Sequence, residues 1–320
     1  MTTARIPDTE THFLLDTEAG PADHGLFGPG SMAWKVWSHP AAFVGCIRSF
    51  QAEMLASPEG AAAVADFGTY KRDPIGRMQR TMQYFLTVVY GDTATVDKAN
   101  LRLRRMHKRV EGHVPVTNTE YSGIDPLLML GVHLMTWHSV WVSYVSLVGE
   151  QSQADEEQYF LESKAAAVAL GLDDIDVDGY RAMARARGYN ADALDAFDDS
   201  TPTSRAHFSA FLNAAGTSWS VTPQTREVMD VLMRPSGASG LRESVMYTLY
   251  PMLSNAAAAT LPRKMRAMAS IPTSAAWEAR SIGIGRLVMT ALAVPATRAI
   301  FEKEVSERGY QLMHEAMAQA

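Results

Sequence analysis

The chain has 320 residues, of which 47% are hydrophobic and 20% are charged, and its formal net charge is −6 at pH 7. A chain of this length and hydrophobic content can bury a sizeable core, which excludes wholesale disorder. The mild negative charge argues against a general nucleic-acid-binding protein. The single cysteine, Cys46, excludes an internal disulfide and a cysteine-based zinc site, and its apolar surroundings, AAFVGCI, indicate a core residue.

Helical patterns dominate the first half of the chain, after a polar arm that we predict over residues 1–25. Asp73, Pro74 and Gly91 suit the cap, the first position and the residue after the end of one helix. Proline, asparagine and glycine in HVPVTNTEYSGIDP predict a loop over residues 113–126. Helices are predicted over residues 32–38, 40–56, 58–66, 73–90, 92–112, 127–149 and 155–171.

The second half of the chain has the same character, and its helical segments fall within residues 173–190, 200–216, 222–235, 239–262, 261–272 and 273–320. No alternation of Val, Ile and Thr bounded by hairpin turns is present, so no sheet is predicted and the fold class is all-α. We find no linker and no internal repeat. The sequence therefore predicts one multi-helix domain over residues 26–320, with a boundary near 195–220 as the alternative.

Residues 127–149 contain no Asp, Glu, Lys or Arg. A bilayer span needs about 20 apolar residues, so this segment is long enough to cross one. Its two histidines, one threonine and three serines, with acidic flanks, favour instead a buried helix of a soluble bundle. The N-terminal MTTARIPDTETHFLL lacks a basic region followed by an apolar core, which argues against a signal peptide. We expect a cytoplasmic protein without stable membrane insertion.

Familiar catalytic motifs do not occur in the sequence. GPGS is not followed by GK[ST], and there is no HExxH, no GxSxG and no repeated ExxH for a di-iron bundle. His133 and His138 are five residues apart, about 140° around a helix, so they do not easily share one metal. Each fits the role of a core histidine better than that of a metal ligand.

His107 has a different setting, because it lies beside the apolar stripe of the predicted 92–112 helix. Basic residues surround it in sequence: Arg102, Arg104, Arg105, Lys108 and Arg109. A single inward histidine on a basic helix suits a haem, since imidazole ligates iron and arginines pair with propionates. The alternative is a buried structural histidine on a helix whose basic residues form its solvated face.

The 73–90 helix has two side-chain stripes. Met78, Met82, Phe85 and Val89 form an ordinary core stripe, and a second stripe, a quarter-turn away, consists of Arg77, Arg80, Thr81, Tyr84 and Val88. Two arginines and a threonine beside hydrophobic residues indicate a face turned towards something other than plain core.

Three stretches, RDPIGRMQRTMQYFLTVVYGD, RRMHKRVEG and EYSGIDPLLMLGVH, resemble in order the family of MpaB-like oxygenases and rubber oxygenases (latex-clearing proteins). The resemblance is clear over residues 26–150 and looser towards the end. Characterised members are all-helical b-type haem proteins that cleave isoprenoid double bonds with dioxygen. The resemblance implies a buried haem b between core helices, dioxygen as co-substrate and a small apolar, isoprenoid-like substrate. The alternative is a non-catalytic or differently acting haem- or lipid-binding protein of the same fold.

Carried over by residue, the resemblance places His107 on the proximal iron ligand, and Arg77 and Thr81 on the distal helix. Arg80 stands where rubber oxygenases have an iron-ligating lysine, which arginine cannot replace because its guanidinium stays protonated. The implied catalytic residues are Arg77, Arg80 and Thr81. The implied haem-binding residues are His107, Arg77, Tyr84 and His133.

The sequence departs from the family pattern at two further places: Gly131 replaces a tryptophan, and Ser57 precedes Pro58 where many members have histidine. Glu53 and Glu59 are the candidates for the catalytic glutamate of the rubber oxygenases. The expected partner is a small apolar substrate, and self-association into a homo-oligomer stays open.

Overall fold

The computed structural model describes residues 23–173, 177–190, 192, 205–216, 219–235 and 241–320, without the side chains of residues 177, 207 and 241–245. Residues 1–22 of the predicted arm, and residues 195–204, 217 and 218 of the alternative domain boundary, lie outside these ranges. The described residues form fourteen helices and a two-stranded sheet, so the all-α class is confirmed. In chain order they are α1 (Met32–Trp37), α2 (Ala41–Ala56), α3 (Pro58–Phe67), α4 (Pro74–Tyr90), α5 (Thr93–His107), β1 (Glu111–Val114), β2 (Thr119–Ser122), α6 (Pro126–Val148), α7 (Gln153–Ala169), α8 (Val177–Ala186), α9 (Arg205–Ala215), α10 (Pro223–Met233), α11 (Leu241–Ala259), α12 (Arg263–Met268), α13 (Ala275–Leu292) and α14 (Pro295–Ala318).

Polar caps explain where many of these helices begin. The side chains of Ser57, Asp73, Asp92 and Asp125 each accept a hydrogen bond from a backbone N–H in the first turn of the helix that follows. Such a cap satisfies one of the N–H groups that have no partner inside the helix. These residues are visible in the sequence, and most predicted helix starts are therefore close to the observed ones.

A hairpin contradicts the prediction that the chain has no sheet. Strands β1 and β2 pair antiparallel, where the sequence predicted the end of a helix followed by a loop. Helix α5 ends at His107, earlier than predicted, and the Gly123 N–H donates to the Val110 carbonyl, 2.7 Å away. The side chain of Val110 packs into a small hydrophobic cluster with the hairpin and α3. Val110, whose spacing suggested a longer helix, therefore packs with the hairpin that follows.

Helices α2 and α6 form the centre of the molecule. Every residue of α2 except Glu53 is buried, and α2 packs more extensively against α6 than against any other described element. The predicted burial of the charge-free 127–149 segment is confirmed, since most of α6 is buried. Cys46 is a buried core residue, as predicted, and burial raises the pKa of its thiol.

No single helix in the described ranges is long and apolar enough to cross a membrane. One pair, Ala275–Leu292 with Pro295–Ala318, meets that test only when the two helices are taken together, and they are bent by 108° at their junction.

The close crossing of α2 and α6 predicts a large effect of one methyl group. A Cβ added at Gly45 would lie 2.4 Å from Val140 Cα, whereas one added at Gly283 in α13 meets nothing within 4 Å. Overpacking costs about 1–3 kcal/mol, so we expect Gly45→Ala to lower the free energy of unfolding by that amount in urea titrations.

Gly283→Ala is the matched control, and we expect it to raise the unfolding free energy by about 0.5–1 kcal/mol because alanine favours a helix interior. Equal effects of the two substitutions would contradict the close crossing.

Candidate active site

The start of α4 fixes the position of Arg77. Asp73 accepts a hydrogen bond from the Gly76 N–H at 2.8 Å, and Pro74 occupies the first turn. A Cβ at Gly76 would lie only 2.1 Å from the Asp73 carboxylate, so the absence of a side chain there leaves room for the cap. The sequence DPIGR therefore combines a helix cap, a proline start and a glycine directly before the arginine.

The Arg77 guanidinium is half-buried but bonded to no acceptor. It lies 4.9 Å from the ring centroid of Phe50, in cation–π geometry. It makes no hydrogen bond or ion pair with any residue that the structure describes. Burial lowers the pKa of Arg77 to about 10, and the nearby Glu53 carboxylate opposes that shift. A cation withdrawn from water without an acceptor is costly, so this position suits an anionic group of a ligand.

Arg80 and Thr81, the other two predicted catalytic residues, have partners of their own. Arg80 donates to the Asp73 carboxylate at 3.0 Å and to Thr69 Oγ1 at 2.7 Å. The Thr81 hydroxyl donates to the backbone carbonyl of Arg77 at 3.1 Å. The charge of Arg80 is therefore paired in this structure, and Thr81 must give up its bond to Arg77 before it can donate to a ligand.

Tyr84 connects α4 to the helix that carries His107. Its hydroxyl donates to Asn100 Oδ1 at 2.8 Å, and Asn100 Nδ2 donates to the Ala169 carbonyl at the end of α7 at 3.0 Å. Asn100 lies on α5, two turns before His107 and on the same face. The buried hydroxyl, whose pKa is raised by desolvation, holds α5 in register with α4 and α7.

His107 is the last residue of α5, and its ring has an unused buried nitrogen. Nδ1 is buried and has no hydrogen-bond partner among the described residues. Burial lowers the pKa of His107, the charge of Arg77 lowers it further, and a backbone hydrogen bond with Gly123 opposes both effects. The ring is therefore held neutral, near Arg77, with a lone pair available. The basic residues around it in sequence are exposed or half-exposed, as the structural alternative also expected.

The hairpin holds the backbone at the end of α5. A Cβ at Gly123 would lie 2.7 Å from the His107 carbonyl oxygen, so β2 is followed by a residue that can approach the helix end only as glycine. The Tyr121 hydroxyl donates to Asp66 on α3, which anchors the same hairpin to the rest of the fold. The hairpin was not expected from the sequence, because residues 113–126 were predicted as a loop.

A carboxyl group on α2, that of Glu53, interacts with Arg77 from a different helix. Glu53 accepts a hydrogen bond from Ser49 Oγ at 2.5 Å, and Ser49 Oγ lies 3.0 Å from Thr136 Oγ1 on α6. Burial raises the pKa of Glu53 to about 7, while Ser49 and Arg77 act in the opposite direction. This carboxyl group therefore changes its protonation near neutral pH. Of the two glutamates considered from sequence, Glu53 is the one that interacts with Arg77.

His133 lies on α6 and its hydrogen-bonding partner is on α7. Burial lowers its pKa to about 4, and a backbone hydrogen bond with Ser163 opposes this shift. Its Nε2 is buried and has no partner in the described ranges, and its ring lies 6.0 Å from Trp137. No hydrogen bond or ion pair joins His133 to Arg77 or His107 within the residues described. The interactions described therefore connect Arg77 with Thr81 and with His107, whereas those of His133 connect it with α7.

Residues that the sequence analysis did not select also contribute to this region, namely Phe50, Ser49, Thr136, Asn100 and Gly123. They lie on three helices and in the turn after β2, and only the spacing of Ser49 and Glu53 on one helix face was readable from the sequence.

A search of the described residues finds no three His, Cys, Asp or Glu side chains that could hold a metal ion together. A haem differs from such sites, because its porphyrin supplies four of the iron ligands and the protein adds a single axial one. One neutral histidine with an available nitrogen is therefore the donor set that this group requires.

Comparison with known families gives a match over most of the chain. The sequence profile described as "ER-bound oxygenase mpaB/B'/Rubber oxygenase, catalytic domain" matches residues 34–296. The chain therefore belongs to this family of oxygenases, as the resemblance of its three motifs indicated. No curated protein and no solved structure gives a significant match.

The raised pKa of Glu53 predicts a pH-dependent effect of its removal. The pKa of Glu53 in the folded protein, about 7, lies above the ordinary glutamate pKa of 4.5, so the folded protein binds the proton more tightly. Stability from this group is present below about pH 4.5 and is lost as pH rises through 7. We expect Glu53→Gln, relative to the original protein, to gain up to roughly 3 kcal/mol in unfolding free energy at pH 8 and little at pH 4.

Urea titrations at the two pH values measure this difference. Glu120→Gln on the exposed hairpin controls for the loss of one carboxylate from the surface. If the unfolding free energies of Glu53→Gln and the original protein differ by the same amount at both pH values, the pKa of Glu53 is not raised by folding.

Proposed function

We propose that this oxygenase binds haem b, which His107 would hold by ligating the iron and Arg77 by pairing with a propionate. The observation that carries the proposal is the buried, partnerless Nδ1 of His107, in a ring kept neutral beside an arginine without an acceptor. Imidazole must be neutral to bind iron, and a guanidinium pairs with a carboxylate by charge-assisted hydrogen bonds.

The donor set supports haem better than a purely structural role for His107. A structural histidine in a folded interior normally has both ring nitrogens hydrogen-bonded, since an unpaired buried polar atom costs about 1–3 kcal/mol. The exposed basic residues on α5 fit either role. The partnerless Nδ1 favours the ligand role because it lies near Arg77, which has no acceptor among the described residues, whereas His133, whose Nε2 is also partnerless, has no such interaction with Arg77.

When bound, haem would supply the iron that activates dioxygen for oxidation of the substrate. Arg77 provides fixed positive charge at the site, and Thr81 provides a hydroxyl that can exchange its bond to the Arg77 carbonyl for one to a ligand. Glu53 Oε2 makes no hydrogen bond to the residues described, so this carboxyl group can hold or release a proton near pH 7. Phe50 helps to exclude water from Arg77.

We propose a small apolar molecule as the substrate, with oxidative cleavage of a carbon–carbon double bond or a related oxidation as the reaction. The support is the membership of an oxygenase family and the hydrophobic residues around the polar groups. An apolar substrate offers no charge to orient it, so shape and exclusion of water are expected to determine its binding. A haem- or lipid-binding protein without catalysis is the competing function.

Haem content tests the role of His107. We expect His107→Ala to retain about tenfold less haem, or less still, because removing even a group that supports a metal ligand costs about 10–100-fold in affinity. The measurement is the Soret absorbance per chain after expression with haem precursor, before and after dithionite. His113→Ala is the matched control, because His113 is exposed and its ring faces Glu120 across the hairpin.

Retention of stoichiometric haem by a folded His107→Ala protein would remove the ligand assignment. Oxygen consumption with an olefinic substrate, absent under nitrogen, separates an oxygenase from a haem carrier. Circular dichroism of each variant distinguishes lost haem from a lost fold.

The role of Arg77 is tested by the hemin affinity of a variant that lacks its charge. We expect Arg77→Gln to weaken hemin binding by about tenfold, since a hydrogen bond to a charged group contributes about 1.5–3 kcal/mol. Arg72→Gln controls for the loss of charge, because Arg72 is exposed and lies just before the same helix. Equal hemin affinities of the two variants in absorbance titrations would show that Arg77 holds no propionate.

A further inference from the structure

A corner of the molecule at the junction of α13 and α14 exposes a nearly charge-free segment. We call residues 287–300 the elbow, and its one ionisable side chain is Arg298. The Arg298 guanidinium points inward, where it donates to Glu302 and to the Ser38 carbonyl. The outward face of the elbow therefore carries no charge of its own.

Large apolar side chains project from the elbow into solvent. Leu287 is 71% exposed, Ile300 is 58% exposed and Val294 is 52% exposed, and the residues between them are mostly exposed as well. Within the described ranges, Leu287 is the most exposed large hydrophobic side chain. Large apolar side chains exposed within one nearly charge-free segment indicate an interface with a protein or a membrane.

A cationic pocket adjoins the elbow. This open pocket of about 450 Å³ lies between the end of α6 and α13, and its lining combines Arg286 and Thr290 with the apolar Leu147, Val148 and Met289. Arg286 Nε donates to the Ser146 carbonyl at 2.9 Å. Its two terminal nitrogens have no hydrogen-bond or ion-pair partner in the part of the chain described. The exposed guanidinium of Arg286, held by its bond to Ser146, therefore lies beside the start of the elbow.

We propose that the elbow docks on an anionic lipid surface, with Leu287, Val294 and Ile300 entering the interface and Arg286 binding a lipid phosphate. Exposed apolar side chains can enter the headgroup region, and a basic residue beside them is attracted to an anionic surface. The terminal nitrogens of Arg286, without a partner among the described residues, favour an occupant that carries negative charge, which an anionic lipid supplies. The proposal goes beyond the proposed function and does not depend on haem.

Vesicle sedimentation tests this surface with the full chain. We expect binding to vesicles of phosphatidylcholine mixed with phosphatidylglycerol, weaker binding to phosphatidylcholine alone, and a decrease with added salt. Leu287→Glu should lower the partition coefficient by about tenfold or more, because it removes a large apolar side chain from the interface. Leu161→Glu on α7 is the matched control, since Leu161 is 62% exposed and lies on a different helix.

Arg286→Gln tests the phosphate contact. We expect about fivefold weaker binding to the anionic vesicles, as one basic residue near such a surface contributes about 1 kcal/mol, and no change with phosphatidylcholine alone. Arg280→Gln, six residues earlier on α13 and also exposed, controls for net charge. Thermal unfolding of each variant establishes that it is folded.

Three results would overturn the proposal: no vesicle binding by the original protein, equal losses for Leu287→Glu and Leu161→Glu, or a dimer in sedimentation that Leu287→Glu dissociates while vesicle binding is unchanged. The last result would assign the elbow to contact between two copies of the chain.

Discussion

The candidate site depends on a half-buried positive charge to which the described residues give no acceptor. The Arg77 guanidinium lies against Phe50, and its lowered pKa records the loss of solvation. The same charge lowers the pKa of His107 and is near enough to Glu53 to oppose the rise in that pKa. The one cation thus favours a neutral His107 and an ionised Glu53. Both effects are consistent with the proposed binding of a group that carries negative charge and ligates imidazole.

The surrounding fold holds these groups in place through contacts between different elements. The cap at Asp73 positions Arg77, the hydrogen bond from Tyr84 to Asn100 aligns α5, and the close approach of Gly123 supports the backbone of His107. Each contact joins the site to a separate helix or hairpin. The geometry therefore derives from the packing of the whole bundle around α2 and α6, and a loose core would release the histidine and the arginine together.

The sequence predicts those features that depend on neighbouring residues. Asp73, Asp92 and Asp125 predict helix starts because a cap acts within one turn. The polar face of α4 follows from the helical periodicity alone. The hairpin was missed because each strand has only four residues, too few for an alternating pattern, and because Val110 continues the helical spacing after the helix has ended.

The electrostatic features could not be predicted from the sequence for a different physical reason. The state of Glu53 depends on Arg77 from another helix, and the hydrogen bonds of His107 depend on Gly123 beyond the hairpin. Such pairings are set by packing between elements distant in sequence. From the sequence, only the resemblance to a family placed Arg77 and His107 in one site. It gave no indication that Asn100 would bond to Tyr84 or that Gly123 would approach the backbone of His107.

Two arginines that are almost fully buried, Arg48 and Arg266, have acceptors, unlike the half-buried Arg77. Arg48 donates to Ser139 Oγ at 2.7 Å and to Thr260 Oγ1 at 2.9 Å. Arg266 donates to the Leu261 carbonyl at 3.1 Å and to Glu278 at 2.6 Å. Where a buried guanidinium serves the structure, this chain surrounds it with acceptors, as the cost of an unpaired buried charge requires. Arg77 is only half-buried and has no acceptor within the described residues, although Glu53 is near, so its guanidinium can bond to water or to the anionic group of a ligand.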